Sequence, residues 1–254
     1  MKQLLFPVLL FTMSCTFFSC NSPMETAKFE TISVEKNIDN PNGLSYDLKY
    51  DFTYLAPEGN GAVDEAILDS MIQLFFGLSD FEGTPQEAAA QYEQNLQTEY
   101  GNDTIFGNRW KGYFYSSSQV EPVGKHLIAY TVDKAEYVGG AHGMRWILAR
   151  NYDRLNGESL SLDDLFDAEG RTALTEQIQN RLVEQYNVPS IDSLTQCGFF
   201  PSPRTIVPTE NFSLSADSIT FIYNLYEIAC YATGIVQVSL SYDELKGFNR
   251  YLTE

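Results

Sequence analysis

From Leu44 the chain alternates apolar and polar positions without a break. Leu44, Tyr46, Leu48, Tyr50, Phe52 and Tyr54 are separated by Ser45, Asp47, Lys49, Asp51 and Thr53. A period of two belongs to a strand with one buried face. Phe29 to Glu35 supplies its partner, and Asn40-Pro41-Asn42-Gly43 between them is turn chemistry, so a hairpin is expected. Between Ala62 and Phe76 the period changes, placing Val63, Ile67, Met71, Leu74 and Phe75 on one helical face. Thr84-Pro85-Gln86-Glu87 then reads as a capping box with Pro at the first helical position. Ala88, Tyr92, Leu96 and Tyr100 follow, and Gly101 ends the helix.

The second half returns to strand patterns at His126–Val132 and from Met144 to Tyr152, with Asn156-Gly157 as a turn. Leu160 to Phe166 leads into a helix carrying Leu174, Ile178, Leu182 and Tyr186, ended by Val188-Pro189. Strand candidates at Asn211–Leu214, Ser218–Tyr223 and Ile235–Leu240 complete the pattern. Strands clustered around a few helices predict an α+β fold, as two small antiparallel-sheet-plus-helix units packed together.

The first 19 residues, MKQLLFPVLLFTMSCTFFS, have Lys2 before an apolar run from Leu4 to Phe18, which is too short for a comfortable membrane span. They are expected to be a lipoprotein-type signal peptide, with Cys20 as the lipidated residue; cleavage without lipidation is the alternative, and Cys15 is a competing site. Residues 20–28 would be the tether. Asn21-Ser22-Pro23-Met24-Glu25 lacks a dense acidic run, favouring a lipid anchor in the bacterial outer membrane facing the periplasm.

The full chain has 254 residues and a formal charge of -18, with 44% hydrophobic and 14% aromatic residues. That charge argues against a nucleic-acid binder, which needs clustered Lys and Arg, and the apolar content excludes a disordered chain. Removing residues 1–19 leaves 254 less 19, or 235 residues, and 34 acids against 15 bases, or -19. The pattern predicts domains at 29–118 and 119–254.

Candidate chemistry is sparse. No GxSxG elbow, phosphate loop or dinucleotide fingerprint is present, and His126 and His142 have no HxxxH or CxxC spacing near them, so no metal and no cofactor are expected. The acids Asp163, Asp164, Asp167 and Glu169 suit the start of the following helix, where the dipole favours negative charge. The Tyr113-Phe114-Tyr115 cluster and Tyr223, Tyr226 and Tyr231 can be explained by half-buried strand faces, with stacking on sugar rings as the sharper alternative. Cys197 and Cys230, 33 residues apart, could pair in an exported protein or remain free buried thiols.

Two stretches resemble a known family. Tyr137-Val138-Gly139-Gly140-Ala141-His142-Gly143, then Asn151-Tyr152-Asp153 and Asn156-Gly157-Glu158-Ser159-Leu160-Ser161-Leu162-Asp163-Asp164-Leu165-Phe166, are similar to domain of unknown function 3298. Asn211-Phe212-Ser213-Leu214, Tyr223-Asn224-Leu225-Tyr226-Glu227-Ile228-Ala229 and Val238 to Leu245 continue the likeness. In that family a smaller domain, of unknown function 4163, commonly comes first, and residues 29–118 occupy its place. Similar pairs form the extracytoplasmic part of RsiV-type anti-sigma factors, which bind lysozyme, and precede the catalytic domain of some peptidoglycan deacetylases.

The resemblance implies a non-catalytic binding or sensing protein of the cell envelope. Its ligand would be a cationic protein such as lysozyme or a cell-wall glycan. Tyr137, Gly139, Gly140, His142 and Gly143 form the candidate ligand-binding loop; the plainer and favoured reading is that the glycines serve a tight turn and His142 bonds the backbone to hold it. The alternative is a peptidoglycan-modifying enzyme using His142 and nearby carboxylates.

Overall fold

The computed structural model describes residues 27–57, 61–102 and 110–246. The expected signal peptide and Cys20 lie outside the described residues. In order, the elements are β1 (Phe29–Ile38), β2 (Ser45–Leu55), α1 (Ala62–Phe76), α2 (Pro85–Tyr100), β3 (Lys111–Val123), β4 (Leu127–Tyr137) and β5 (Met144–Asp153). They continue with α3 (Leu162–Leu165), α4 (Ala168–Gln185), β6 (Phe212–Leu214), β7 (Ser218–Tyr223) and β8 (Val236–Ser241). Strands β1 to β5 form one sheet in chain order, and β6, β7 and β8 a second. The fold is therefore α+β. One pairing corrects the expectation of purely antiparallel sheets: β2 and β3 run parallel, with Ser45 beside Lys111 and Asp51 beside Ser117. The two helices between them supply the crossover that a parallel pair requires.

The described chain forms two compact units. One comprises the residues up to Gln119 together with Val132–Met144; the other comprises Val120–Thr131 and the residues from Arg145 onward.

The first unit is built on the alternating strand. Tyr46, Leu48, Tyr50, Phe52 and Tyr54 are all buried, and β1 pairs with β2 from Phe29 opposite Leu55 to Ile38 opposite Tyr46. The Phe52 ring lies 4.8 Å from both Phe75 and Phe76 of α1, while Tyr50 meets Phe76 edge-on at 5.8 Å and Tyr92 of α2 at 6.0 Å. Buried tyrosines need a partner for the hydroxyl. Tyr50 donates to Glu93 at 3.0 Å and Tyr54 to Glu30 at 2.6 Å. Helix α2 starts as its sequence predicts, with Thr84 Oγ1 accepting from Glu87 N–H and the Glu87 carboxylate accepting from Thr84 N–H at 2.8 Å.

The second unit packs α4, through Leu174, Ile178 and Leu182, in a cluster with Phe212, Leu214, Ile219, Phe221, Val236, Val238 and Leu240. Here three asparagine side chains do what a strand ladder does elsewhere. Asn211 accepts from Ala149 N–H at 2.7 Å and donates to the carbonyls of Ile147 and Ile222 at 2.8 and 3.0 Å. Asn224 accepts from Ile147 N–H at 2.8 Å and donates to Ile147 O at 3.1 Å. Asn151 donates to Phe212 O at 2.8 Å and accepts from Leu214 N–H at 2.9 Å. A primary amide carries a donor and an acceptor, as a peptide unit does, so these side chains bond β5 to the β6 and β7 segments without a continuous backbone register.

Candidate functional site

The Gly139–Gly143 bend follows β4 and precedes β5. Gly139 and Gly140 have φ of 116° and 95°, which a side chain would strain. Gly143 is required for another reason: a Cβ there would lie 2.5 Å from the Tyr113 hydroxyl and 2.8 Å from Glu136 O. Tyr137 donates its hydroxyl to Gly140 O at 3.0 Å, tying the strand end to the tip of the bend. His142 is exposed, with Nδ1 3.0 Å from Gly143 O. A carbonyl only accepts, so in this contact Nδ1 is the donor. The bend is thus stiffly built, and both tyrosine hydroxyls are directed to its backbone.

The opposite face of β4 holds titratable groups that the sequence pattern did not single out. Burial lowers the Lys134 amine to about 8, with Glu136 acting against the shift. Burial also raises the Glu136 carboxyl, with Glu99 of α2 adding to the effect and Lys134 opposing it. Tyr92 is raised to about 12 by burial and by the Glu136 charge. Alternation along β4 places Lys134 and Glu136 on one face, but that this face is partly buried follows from tertiary packing and not from the local pattern.

A second surface gathers around the short bridge between Phe199 and Ala229. Tyr226 has φ of 69° and is 45% exposed. A bulky side chain in that region costs about 1–3 kcal/mol and persists only where its surroundings impose it. Here Glu227 N–H donates to Asn224 O at 3.1 Å, and the Glu227 carboxylate accepts from Asn224 N–H at 2.9 Å, closing the turn. The Tyr231 ring lies 5.9 Å from that of Tyr226 at an angle of 35°. Phe200 and Val207 are also exposed; Phe200 N–H donates to Ile228 O at 3.0 Å, and Val207 O accepts from Tyr223 at 2.8 Å. Tyr223 itself is buried, so the expected Tyr223, Tyr226, Tyr231 group divides into a core residue and an exposed pair.

Cys197 and Cys230 are both free thiols in the structure rather than a bonded pair. Cys197 packs against the core of the second unit. Cys230 Sγ lies over Gly198, 2.6 Å from where a Cβ would stand, and its thiol is lowered chiefly by the Thr233 hydroxyl. The four acids divide between two helix starts: Asp163 and Asp164 lie in α3, where Asp164 completes a capping box with Ser161, while Asp167 caps α4 and Glu169 sits in its first turn. Asp167 accepts from Gly170 N–H at 2.8 Å, Asp164 accepts from Ser161 N–H at 2.7 Å, and Asp163 pairs with Arg171 at 2.7 Å. His126 contributes its backbone carbonyl to Arg154 N–H at 2.9 Å. Among the described residues, no three His, Cys, Asp or Glu side chains are grouped as a metal set.

Comparison with known proteins places part of this chain. Over 124 residues it is 26% identical to the peptidoglycan-N-acetylmuramic acid deacetylase PdaC of Bacillus subtilis (strain 168), a match covering 48% of this chain. That match spans about a quarter of the relative, 26% of its length. A crystal structure of a DUF3298 family member from Bacteroides fragilis NCTC 9343 superposes with a TM-score of 0.75 at 26% identity, covering 88% of this chain and 94% of that one. A DUF3298 family protein from Pseudomonas aeruginosa PAO1, at 19% identity, shares the fold with a TM-score of 0.60 over the same fractions. Residues 163–243 match the family described as Protein of unknown function (DUF3298), the family to which both of these structures belong.

Proposed function

We propose that the protein is a non-catalytic binding or sensing protein of the bacterial envelope, anchored through a lipid on Cys20 in the outer membrane and facing the periplasm. Kinship to RsiV-type extracytoplasmic pairs, with residues 29–118 as the 4163-like domain and 119–254 as the 3298-like domain, belongs to this reading. The observation that carries it is Tyr226, a strained aromatic held exposed beside Tyr231 and within the DUF3298 match. Exposed aromatics on a rigid scaffold are the residues that dominate protein interfaces. The partner is a cationic protein such as lysozyme, which a chain of charge -18 attracts at long range. Binding to lysozyme at two ionic strengths tests this. The expected result is faster association at low salt, and roughly 30-fold weaker binding for Tyr226→Ala with unchanged secondary structure. Absence of binding at low salt removes lysozyme as the partner.

The similarity to a peptidoglycan deacetylase favours a second reading, in which His142 and nearby carboxylates act on peptidoglycan. Muropeptide turnover that is present in the parent and lost in His142→Ala would support it. A residue serving only the bend gives no selective loss of rate.

A further inference from the structure

Strand β1 ends the five-stranded sheet, and among the described residues no strand pairs along its other side. It runs ten residues, FETISVEKNI, without proline. Its pairing with β2 shows which way its backbone groups point. Lys28 O accepts from Ala56 N–H at 2.8 Å, in step with the register that sets Phe29 opposite Leu55. In an antiparallel pair, residues that exchange hydrogen bonds with the partner alternate with residues whose N–H and C=O point the other way. Glu30, Ile32, Val34 and Lys36 therefore bond to β2, while Phe29, Thr31, Ser33, Glu35 and Asn37 direct their backbone groups to the open edge. Thr53 and Leu55 of β2 keep the same alternation: their N–H groups turn away from β1, to Ser118 Oγ at 2.8 Å and Met71 Sδ at 3.4 Å. A long edge without proline or bulge is a template for another strand.

We infer that β1 is a dimerisation edge, pairing antiparallel with β1 of a second copy of this chain about a two-fold axis at Ser33. A two-fold interface sets residue i against j and j against i, so the strand must complement itself. Centred on Ser33, Phe29 meets Asn37, Thr31 meets Glu35 and Ser33 meets its own copy, so that edge-directed residues exchange backbone bonds with edge-directed residues. Between them fall the pairs without backbone bonds, whose side chains approach most closely. These are Glu30 against Lys36 and Ile32 against Val34, each occurring twice. Opposite charges and branched apolar chains are the cross-strand pairs that stabilise a sheet. Other centres lose this match. An axis at Ile32 sets Lys28 against Lys36, one at Val34 sets Lys36 against Ile32, and one at Glu35 sets that carboxylate against its own copy. Within each copy Tyr54 donates to Glu30 at 2.6 Å and Glu93 holds Lys36 at 2.5 Å, so both charges are fixed on that face. Each copy carries a charge of -18, and a Debye length of about 8 Å at physiological salt confines the resulting repulsion.

Sedimentation equilibrium of the purified protein at physiological salt tests the inference, and the parent is expected to show a monomer–dimer equilibrium. Ser33→Pro removes an edge N–H and no bond to β2, so it should leave the protein monomeric with its secondary structure unchanged. Thr31 faces Glu35 of the second copy; Thr31→Lys should tighten the dimer and Thr31→Glu should loosen it, each about threefold. Cross-linking under mild oxidation reads the register. Ser33→Cys, opposite its own copy at about 5.5 Å between Cα atoms, should give a linked dimer, and Asn37→Cys, opposite Phe29, should not. A monomeric parent overturns the inference, as does a dimer that survives Ser33→Pro or responds alike to Thr31→Lys and Thr31→Glu. Cross-linking through Asn37→Cys and not through Ser33→Cys does the same.

Discussion

The two units join their strands by different chemistry. In the first, β1 and β2 pair by backbone over ten successive positions, and the buried side of β2 is aromatic or aliphatic throughout. In the second, β5 is joined to the β6 and β7 segments by the amides of Asn151, Asn211 and Asn224. The lesson is that similar compactness can rest on volume in one place and on satisfied hydrogen bonds in another. Removing atoms should harm the first through cavities and the second through orphaned backbone groups.

Alkaline pH should give the largest effect and act on both units, since burial also raises the phenols of Tyr186, Tyr223 and Tyr242 in the second, Tyr242 to about 12. Burial raises the phenols of Tyr46, Tyr50, Tyr54 and Tyr92 in the first unit above the ordinary 10.0, Tyr92 to about 12. When the folded value is raised, the unfolded chain loses its proton first. The stabilisation is therefore complete below pH 10 and is lost as pH climbs toward 12. Lys134 works in the opposite direction: its folded value of about 8 lies below 10.5, so its contribution to stability grows between those values. We expect the tyrosinate absorbance of the buried phenols to appear as a step together with loss of secondary structure above pH 10, over and above the rise from exposed tyrosines. Smooth titration with the fold intact would show that the first unit does not depend on its neutral phenols.

Phe52→Ala should cost about 3–5 kcal/mol, because the ring is fully buried between Phe75 and Phe76 and its loss leaves a cavity. Denaturant unfolding checks this. Asn211→Ala should cost about 2–3 kcal/mol, since Ala149 N–H and the carbonyls of Ile147 and Ile222 each lose a partner. A shape-matched Asn211→Leu should be no better if the amide chemistry is what matters; recovery by Leu would make the site an ordinary packing position. The smallest effect belongs to Thr84→Ala, about 1 kcal/mol, from loss of the hydroxyl that caps α2, measured by thermal melting.

The hairpin, α1, α2 and the later strands were legible because each carries a strong local pattern: strict alternation, a helical stripe, or a capping box. β3 was not, although the sequence shows its Tyr113-Phe114-Tyr115 cluster. Its 13 residues include Ser116, Ser117 and Ser118, which blur the period, and its parallel partner is separated from it by two helices. The loop from Tyr137 to Gly143 was legible as a tight bend from its glycines. Its need for Gly at 143 was not, because the obstruction there comes from Tyr113 on a different strand.

Sequence alone determined where most elements begin and end, the signs of charge at helix starts, and the presence of a strongly acidic chain. These depend on neighbours within a few residues, where side-chain period and backbone preference act directly. Only tertiary structure decided the parallel pairing of β2 with β3, the amide links to β5, and the division of the tyrosines. Tyr50 and Tyr223 became core residues, Tyr113 and Tyr137 supports of a bend, and Tyr115 and Tyr226 exposed rings. A tyrosine has the same ring and hydroxyl in all three settings. Which role it takes depends on what distant segments pack against it, and no local period encodes that.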